Sequence, residues 1–351
     1  MAIVKFGDIV RDVKNNVDRA NNPFEFYVAG DHMDSEDLNI RRRGRFATDD
    51  VGPAFVRIFE PGQILYGSRR TYLKKVAVAD FSGICANTTF VLESKDPKVF
   101  EQRLLPFLML SNAFTEWSIS KSKGSTNPYV LFSDLAGFEF NLPSIDEQKV
   151  LAEKLWAAYE VKQSYLKMID ATDEMVKAQF IEMFNSFDAN HSWSDVLTIT
   201  NGKAYPGEYH ESGDYPICGS AGIMSYGDLK MCNKDTVILG RKGNINRPIY
   251  MDQDYWIVDT AFCLDVNRDL LNPIFFYYWC CQYDFTKLNK QGVLPSLTRT
   301  DLEKVMMAVP PLSIQNKFAS IVHQADKSKA ELRKSIDAID KVIKSLINEN
   351  M

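Results

Sequence analysis

Arginines, lysines and amides gather on short turns in this sequence, and those side chains suit reading a nucleic acid better than transforming a substrate. Ser68, Arg69 and Arg70 follow the run ILYG, while Arg241, Lys242 and Asn244 follow VILG. A guanidinium can form a two-pronged bond to guanine O6 and N7, an Asn or Gln amide can do the same for adenine, and Lys or Arg neutralises phosphate. Later turns carry Lys121, Lys123, Ser125 and Asn127 in one half of the chain and Lys287, Lys290, Gln291 and Arg299 in the other; Arg41, Arg42, Arg43 and Lys203 complete the candidate DNA-binding set. The formal net charge is -5, yet residues 41–75 hold nine basic side chains against three acidic ones. Affinity for phosphate comes from such clustering, so distribution matters more than the sum.

The sequence carries no recognisable catalytic motif. Asn127-Pro128-Tyr129 resembles the N-P-P-Y signature of amino-methyltransferases but lacks the second Pro, and no glycine-rich strand-to-helix turn is present for a methyl donor. There is no G-x-x-x-x-G-K-[ST] to cradle phosphates, no H-E-x-x-H, and no nuclease-type run of carboxylates closed by a Lys. Asp146 and Glu147 read as first-turn acids that suit a helix dipole. The six cysteines form no C-x-x-C pair and the four histidines are scattered, so neither a zinc site nor a disulfide framework is expected. Cys280-Cys281 lies in the apolar run FFYYWCCQY, which favours packing over reactivity. Without an apolar run of roughly 18–20 residues, or the charged-then-apolar order of a signal peptide at MAIVKFGDIVRDVKNN, a soluble cytoplasmic protein is expected.

The elements that must hold these turns occur twice. KGSTNPYVLFSDLAGFEFNLPSIDEQ, from Lys123, aligns with KQGVLPSLTRTDLEKVMMAVPPLSIQ, from Lys290, at a constant shift of 167. That shift pairs Pro128 with Pro295, Asp134 with Asp301, Pro143 with Pro310 and Gln148 with Gln315; around Gly67 and Gly240 it grows to about 173, as loops of unequal length would produce. In each copy, β-branched and aromatic runs such as AFVRIF, QILYGS and TTFVLE, or TVILG and YWIVDTAFCLDV, read as strands bounded by turn residues. An aromatic segment follows (LLPFLMLSNAFTEW or LNPIFFYYWCCQYDF) that reads as a helix buried on the sheet. The expected fold class is therefore α+β, in two pseudo-repeated units.

After Pro143 and after Pro311 the pattern turns helical for some 35 to 40 residues, enough for rods of roughly 50–60 Å. In the second helix Ile314, Phe318, Ile321, Ala325, Ser328, Leu332, Ser335, Ile339, Val342 and Leu346 alternate spacings of four and three. The equivalent register in the first gives Leu151, Ala158, Val161, Tyr165, Met168, Thr172 and Met175, interrupted by Lys154. These seams predict an antiparallel coiled-coil pair, and boundaries at 1–142, 143–186, 187–309 and 310–351.

With NLPSIDEQKVLAEKL opening one long helix, VPPLSIQNKFASIV opening the other, and GDYPICGSAGIMSYG with VILGRKGNINRPIY between them, the chain resembles the specificity subunit of type I restriction-modification systems over essentially its whole length. The resemblance implies that each unit is a target-recognition domain reading one half of a bipartite double-stranded DNA sequence, with the helices as a ruler. It also implies two methyltransferase subunits carrying S-adenosylmethionine, and motor-nuclease subunits using ATP and Mg, with no cofactor and no catalysis in this chain. A self-sufficient methyltransferase or nuclease, and a coiled-coil scaffold that binds no DNA, are the alternatives.

Overall fold

A computed structural model describes residues 2–288 and 295–350. The chain forms two compact units, one from residues 1–165 with 334–351 and the other from 166–333. Helices Ile145–Phe184 (the central helix) and Leu312–Asn350 (the C-terminal helix) each give one end to each unit.

The units repeat each other strand by strand. In unit 1 an antiparallel sheet has the order Val10–Asp12, Thr89–Ser94, Ile64–Gly67, Val76–Val78; in unit 2 the order is Leu197–Asn201, Ala261–Val266, Thr236–Gly240, Ile249–Met251. A second sheet in each unit is built on a short parallel pairing: Phe26–Val28 beside Gly83–Ala86 in unit 1, Tyr215–Gly219 beside Trp256–Ile257 in unit 2. Unit 1 adds the edge strand Phe55–Phe59 to this sheet. That strand carries Arg57, whose nearly buried guanidinium donates to the buried carboxylate of Asp12 (2.9 Å) and to the Thr89 carbonyl (3.1 Å).

The long helices are core elements of both units. In unit 1, Leu151, Leu155 and Tyr159 of the central helix and Ile347 of the C-terminal helix join the cluster of Phe6, Phe107 and Phe114. In unit 2, Phe180, Phe184 and Phe318 pack with Phe275 and Trp193, the Phe184 and Phe275 rings lying 4.6 Å apart. Aromatic side chains bury much apolar surface, so each core draws a large share of its stability from the helix ends.

The repeated spacing from Pro143 to Gln148 and from Pro310 to Gln315 has a structural reason. Gln148 and Gln315 are both fully buried at the starts of the long helices. The Gln148 amide donates to the carbonyls of Pro143 (2.9 Å) and Val99 (3.0 Å), and its oxygen accepts from the Glu101 backbone N–H (2.9 Å). Gln315 does the same with Pro310 (2.7 Å), Leu270 (3.0 Å) and Asn272 (2.8 Å). Only an amide of this length supplies both donors and the acceptor, and its loss would orphan buried backbone groups.

The helix pairing departs from the sequence expectation. Leu151, Phe318 and Ala325 are buried and Ala158, Tyr165, Ile321, Leu332, Ile339 and Leu346 are partly covered, but Val161, Met168, Met175 and Val342 are 43–52% exposed. On the central helix the buried line runs through Leu155, Tyr159, Val176 and Phe180, one position on from the expected seam, and Lys154, which interrupted that seam, is exposed. The displacement has a cause: the contact line includes charges. Lys162 pairs with Asp340 and Lys329 with Asp173, each at 2.6 Å. The shift of 167 carries Lys162 onto Lys329 and Asp173 onto Asp340, so each pair is the other's counterpart. In both pairs the residue numbers add to 502, the mark of a single antiparallel register. A pattern built on apolar residues alone misses a seam that contains ion pairs.

Replacing Gln315 by Ala is expected to lower the unfolding free energy by about 3 kcal/mol, since buried backbone partners lose their hydrogen bonds. Gln148→Ala should cost a similar amount, and urea titration of each variant checks whether the two costs match.

Candidate nucleic-acid interface

Each unit closes its candidate loop with the same set of backbone hydrogen bonds. In unit 1 the Ser68 N–H donates to Thr88 O (3.1 Å), Val130 N–H to Ser68 O (3.0 Å) and Arg70 N–H to Pro128 O (2.7 Å), while Arg69 bridges Tyr129. In unit 2 the Arg241 N–H donates to Thr260 O (2.8 Å), Leu297 N–H to Arg241 O (2.9 Å) and Gly243 N–H to Pro295 O (3.1 Å), while Lys242 bridges Ser296. Thus Ser68 stands for Arg241, Arg69 for Lys242 and Arg70 for Gly243. Main-chain bonds hold the backbone still, which leaves the side chains free to differ. Arg69, Arg70, Lys242 and Asn244 are exposed, Arg241 is half-buried near the Phe262 ring (5.9 Å), and Ser68 is buried, its hydroxyl donating to Thr88 O at 2.6 Å.

The equivalence extends to the backbone angle. Arg70 has φ +51° and Gly243 φ +77°, both in the left-handed region. Glycine enters that region freely, whereas a side chain there is strained. Unit 1 keeps an arginine where unit 2 uses glycine.

Beside Arg70 the chain doubles back over a turn in which Lys123 and Tyr129 exchange backbone bonds (2.8 and 2.9 Å), Gly124 takes φ +89°, and Ser125 and Asn127 are exposed. The Lys123 ammonium pairs with Asp134 (2.9 Å), which holds that carboxyl below its ordinary range. Lys121 lies 4.4 Å from the Trp117 ring. In unit 2, Lys290 and Gln291 lie outside the described residues. Arg299 pairs with Glu303 (2.7 Å) at the start of a short helix, and Lys287 lies within the 3-10 turn Phe285–Leu288. Lys203 is exposed, and its backbone is held by Ile257 O (2.9 Å) and Trp256 Nε1 (2.8 Å).

The arginine run is less free than its sequence implies. The Arg41 guanidinium bonds Asp37 and Gln163 of the central helix, and Asp37 also accepts from Tyr159 (2.6 Å). Burial would raise the Asp37 pKa, but bonds from Tyr159, the Asn39 backbone and Arg41 outweigh it and hold the carboxyl below its usual range. This tether is therefore intact above about pH 4 and is lost as pH falls through the lowered folded value. Arg42 pairs with Asp34, and Arg43 stacks on Phe26 at 3.9 Å.

The sequence reading missed the hairpin of Tyr215–Gly219 and Gly222–Gly227 beside the Arg241 loop. The Ser220 N–H donates to Thr260 Oγ1 (3.3 Å), while the Thr260 carbonyl receives the Arg241 N–H, so one threonine joins hairpin and loop. The available signal was the phrase CGSAGIM, a glycine-bounded turn followed by two apolar residues. Among the described residues no helix is long and apolar enough to cross a membrane.

The family model described as "Type I restriction modification DNA specificity domain" matches residues 39–164 and 190–340. The chain belongs to this family. Both matched segments contain a complete loop closure, Ser68 to Val130 in one and Arg241 to Leu297 in the other. Among curated proteins, the type I restriction enzyme EcoDI specificity subunit of Escherichia coli is 25% identical over 170 residues, covering 48% of this chain and 36% of that protein. The matched region thus spans about a third of that relative's length. Among solved structures, the type I restriction-modification system S subunit from M. genitalium has a TM-score of 0.61 at 14% identity, covering 100% of this chain and 96% of that one. A chain from work on complex assembly and conformational transition of the type I R-M system also gives 0.61, at 20% identity, with 99% and 97% covered. These likenesses extend the shared α+β fold with two long helices over the chain.

Arg70→Gly is expected to stabilise unit 1 by about 1 kcal/mol by relieving the left-handed arginine, while weakening DNA binding. Gly243→Arg should lose a similar amount in unit 2. Thermal unfolding and fluorescence-anisotropy titration measure the two effects separately.

Proposed function

We propose that this chain is the DNA-reading subunit of a type I restriction-modification complex in the cytoplasm, and that each unit reads one half of a bipartite duplex target. The observation that carries the reading is the loop closure found in both units, which presents Arg69 and Arg70 in one and Arg241 and Lys242 in the other. Guanidinium and ammonium groups on a main-chain-bonded loop suit contacts to phosphates and to guanine edges. The domain boundaries at 1–142, 143–186, 187–309 and 310–351 belong to the same proposal, with the helices setting the gap between half-sites.

The catalytic steps are assigned to partners: two methyltransferase subunits with S-adenosylmethionine, and restriction subunits with ATP and Mg. A surface is available for such docking. Val161, Met168 and Met175 recur every seven residues on the central helix, each 43–52% exposed. A stripe of that kind on a long helix marks an interaction face. A role as a scaffold without DNA would leave the two cationic loops idle, and no observation favours it.

The test is a salt titration of the complex with its methyltransferase subunits. Arg69→Ala, Arg70→Ala, Arg241→Ala and Lys242→Ala together should weaken DNA binding at least tenfold, and flatten the plot of log K against log salt by about 0.9 for each phosphate contact removed. Unchanged affinity and slope would favour the scaffold. Exchanging residues 1–142 for those of a relative should alter one half of the methylated motif, read by sequencing modified adenines; alteration of both halves would overturn the modular reading.

A further inference from the structure

Two large apolar side chains stand side by side in the open on unit 2. Ile223 is 50% and Met224 63% exposed, on a strand at the edge of its sheet. Regular alternation would turn one of two neighbours inward. Here the register breaks: Ile217 faces Ser225 and Cys218 faces Ile223, so Met224 is an extra residue without a partner across the hairpin. Such a bulge bends the strand and re-aims side chains, and an exposed apolar edge otherwise invites aggregation.

The bulge is braced against the cationic loop. A Cβ on Gly219 would lie 2.9 Å from Met224 Sδ and 3.0 Å from Thr260 Oγ1, so Met224 and Thr260 both pack close against the Gly219 backbone. Thr260 in turn accepts the Arg241 N–H at 2.8 Å. The exposed cations Lys203 and Lys242 lie on the flanking segments. Unit 1 gives the same edge different chemistry. Counted from the parallel pairings, Gly44 occupies the place of Ser225, and the arginines before it lie outside the strand, Arg43 stacked on Phe26 and Arg42 paired with Asp34.

We propose that Ile223 and Met224 are specificity-determining residues that read thymine C5-methyl groups in the major groove, while Arg241 and Lys242 hold the backbone and guanine edges. A two-stranded ribbon fits the major groove, and the thymine methyl is the one apolar mark among the base edges there. Cationic neighbours bring the ribbon to DNA, and the apolar pair then distinguishes A·T from G·C pairs. Unit 2 thereby reads by methyl contact at an edge where the arginines of unit 1 are held by Phe26 and Asp34.

The inference rests on the proposed DNA-reading function, and the test separates the two. Using the complex with its methyltransferase subunits, and a duplex carrying the target found by sequencing methylated adenines, each thymine is replaced singly by deoxyuridine, which removes only the methyl. Wild-type affinity should fall about fourfold at one or two positions, the worth of burying one methyl, all within the half-site read by unit 2. Met224→Ala and Ile223→Ala should abolish that sensitivity while keeping the salt slope, and 5-methyl groups on cytosines elsewhere should have no such effect. Uniform tolerance of deoxyuridine by the wild type, including a unit 2 half-site without thymine, overturns the proposal. So does equal sensitivity in the variants. Absence of any specific DNA binding by the wild type would instead overturn the underlying reading.

Discussion

The architecture depends on one buried side chain used twice. Gln148 and Gln315 each satisfy two carbonyls and one N–H in front of a long helix, which fixes the direction in which that helix leaves its unit. Buried polar groups persist only when fully bonded, so these amides leave little room for an alternative start. Everything farther along the helices inherits that direction, including the ion pairs of the seam.

Between the units the backbone is conserved and the side chains diverge. The bonds from Thr88 to Ser68 and from Thr260 to Arg241 are the same bond in two copies, as are those that engage Pro128 and Pro295. Because the main chain closes the loop, a side chain such as Arg69 or Lys242 can change with little cost to folding. Surface substitutions away from core contacts usually cost under about 0.5 kcal/mol.

The helix pair shows a different division of labour. Its inner face mixes Leu155, Val176 and Phe318 with the Lys162–Asp340 and Lys329–Asp173 pairs, whereas its outer face displays Val161, Met168 and Met175. Charged positions in a seam restrict register, because a slip would leave each charge beside the wrong neighbour. The apolar residues on the outer face are each only about half covered within the chain, which leaves apolar area that further burial would stabilise.

The order of elements, the repeat at 167, the two long helices and the turn positions of Arg69, Arg70, Arg241 and Lys242 were legible in the sequence, because periodicity and turn chemistry are local properties. The face each helix buries was decided only by tertiary structure: with Lys162 and Asp173 in the contact line, Val161, Met168 and Met175 turn outward by one position. The tethering of Arg41 by Asp37 and Gln163, and the bulge that exposes Met224, also had no local signal. The Gln163 and Thr260 contacts join residues far apart in the chain, and pairing between distant residues is a property of the packed fold, not of the residues read in order.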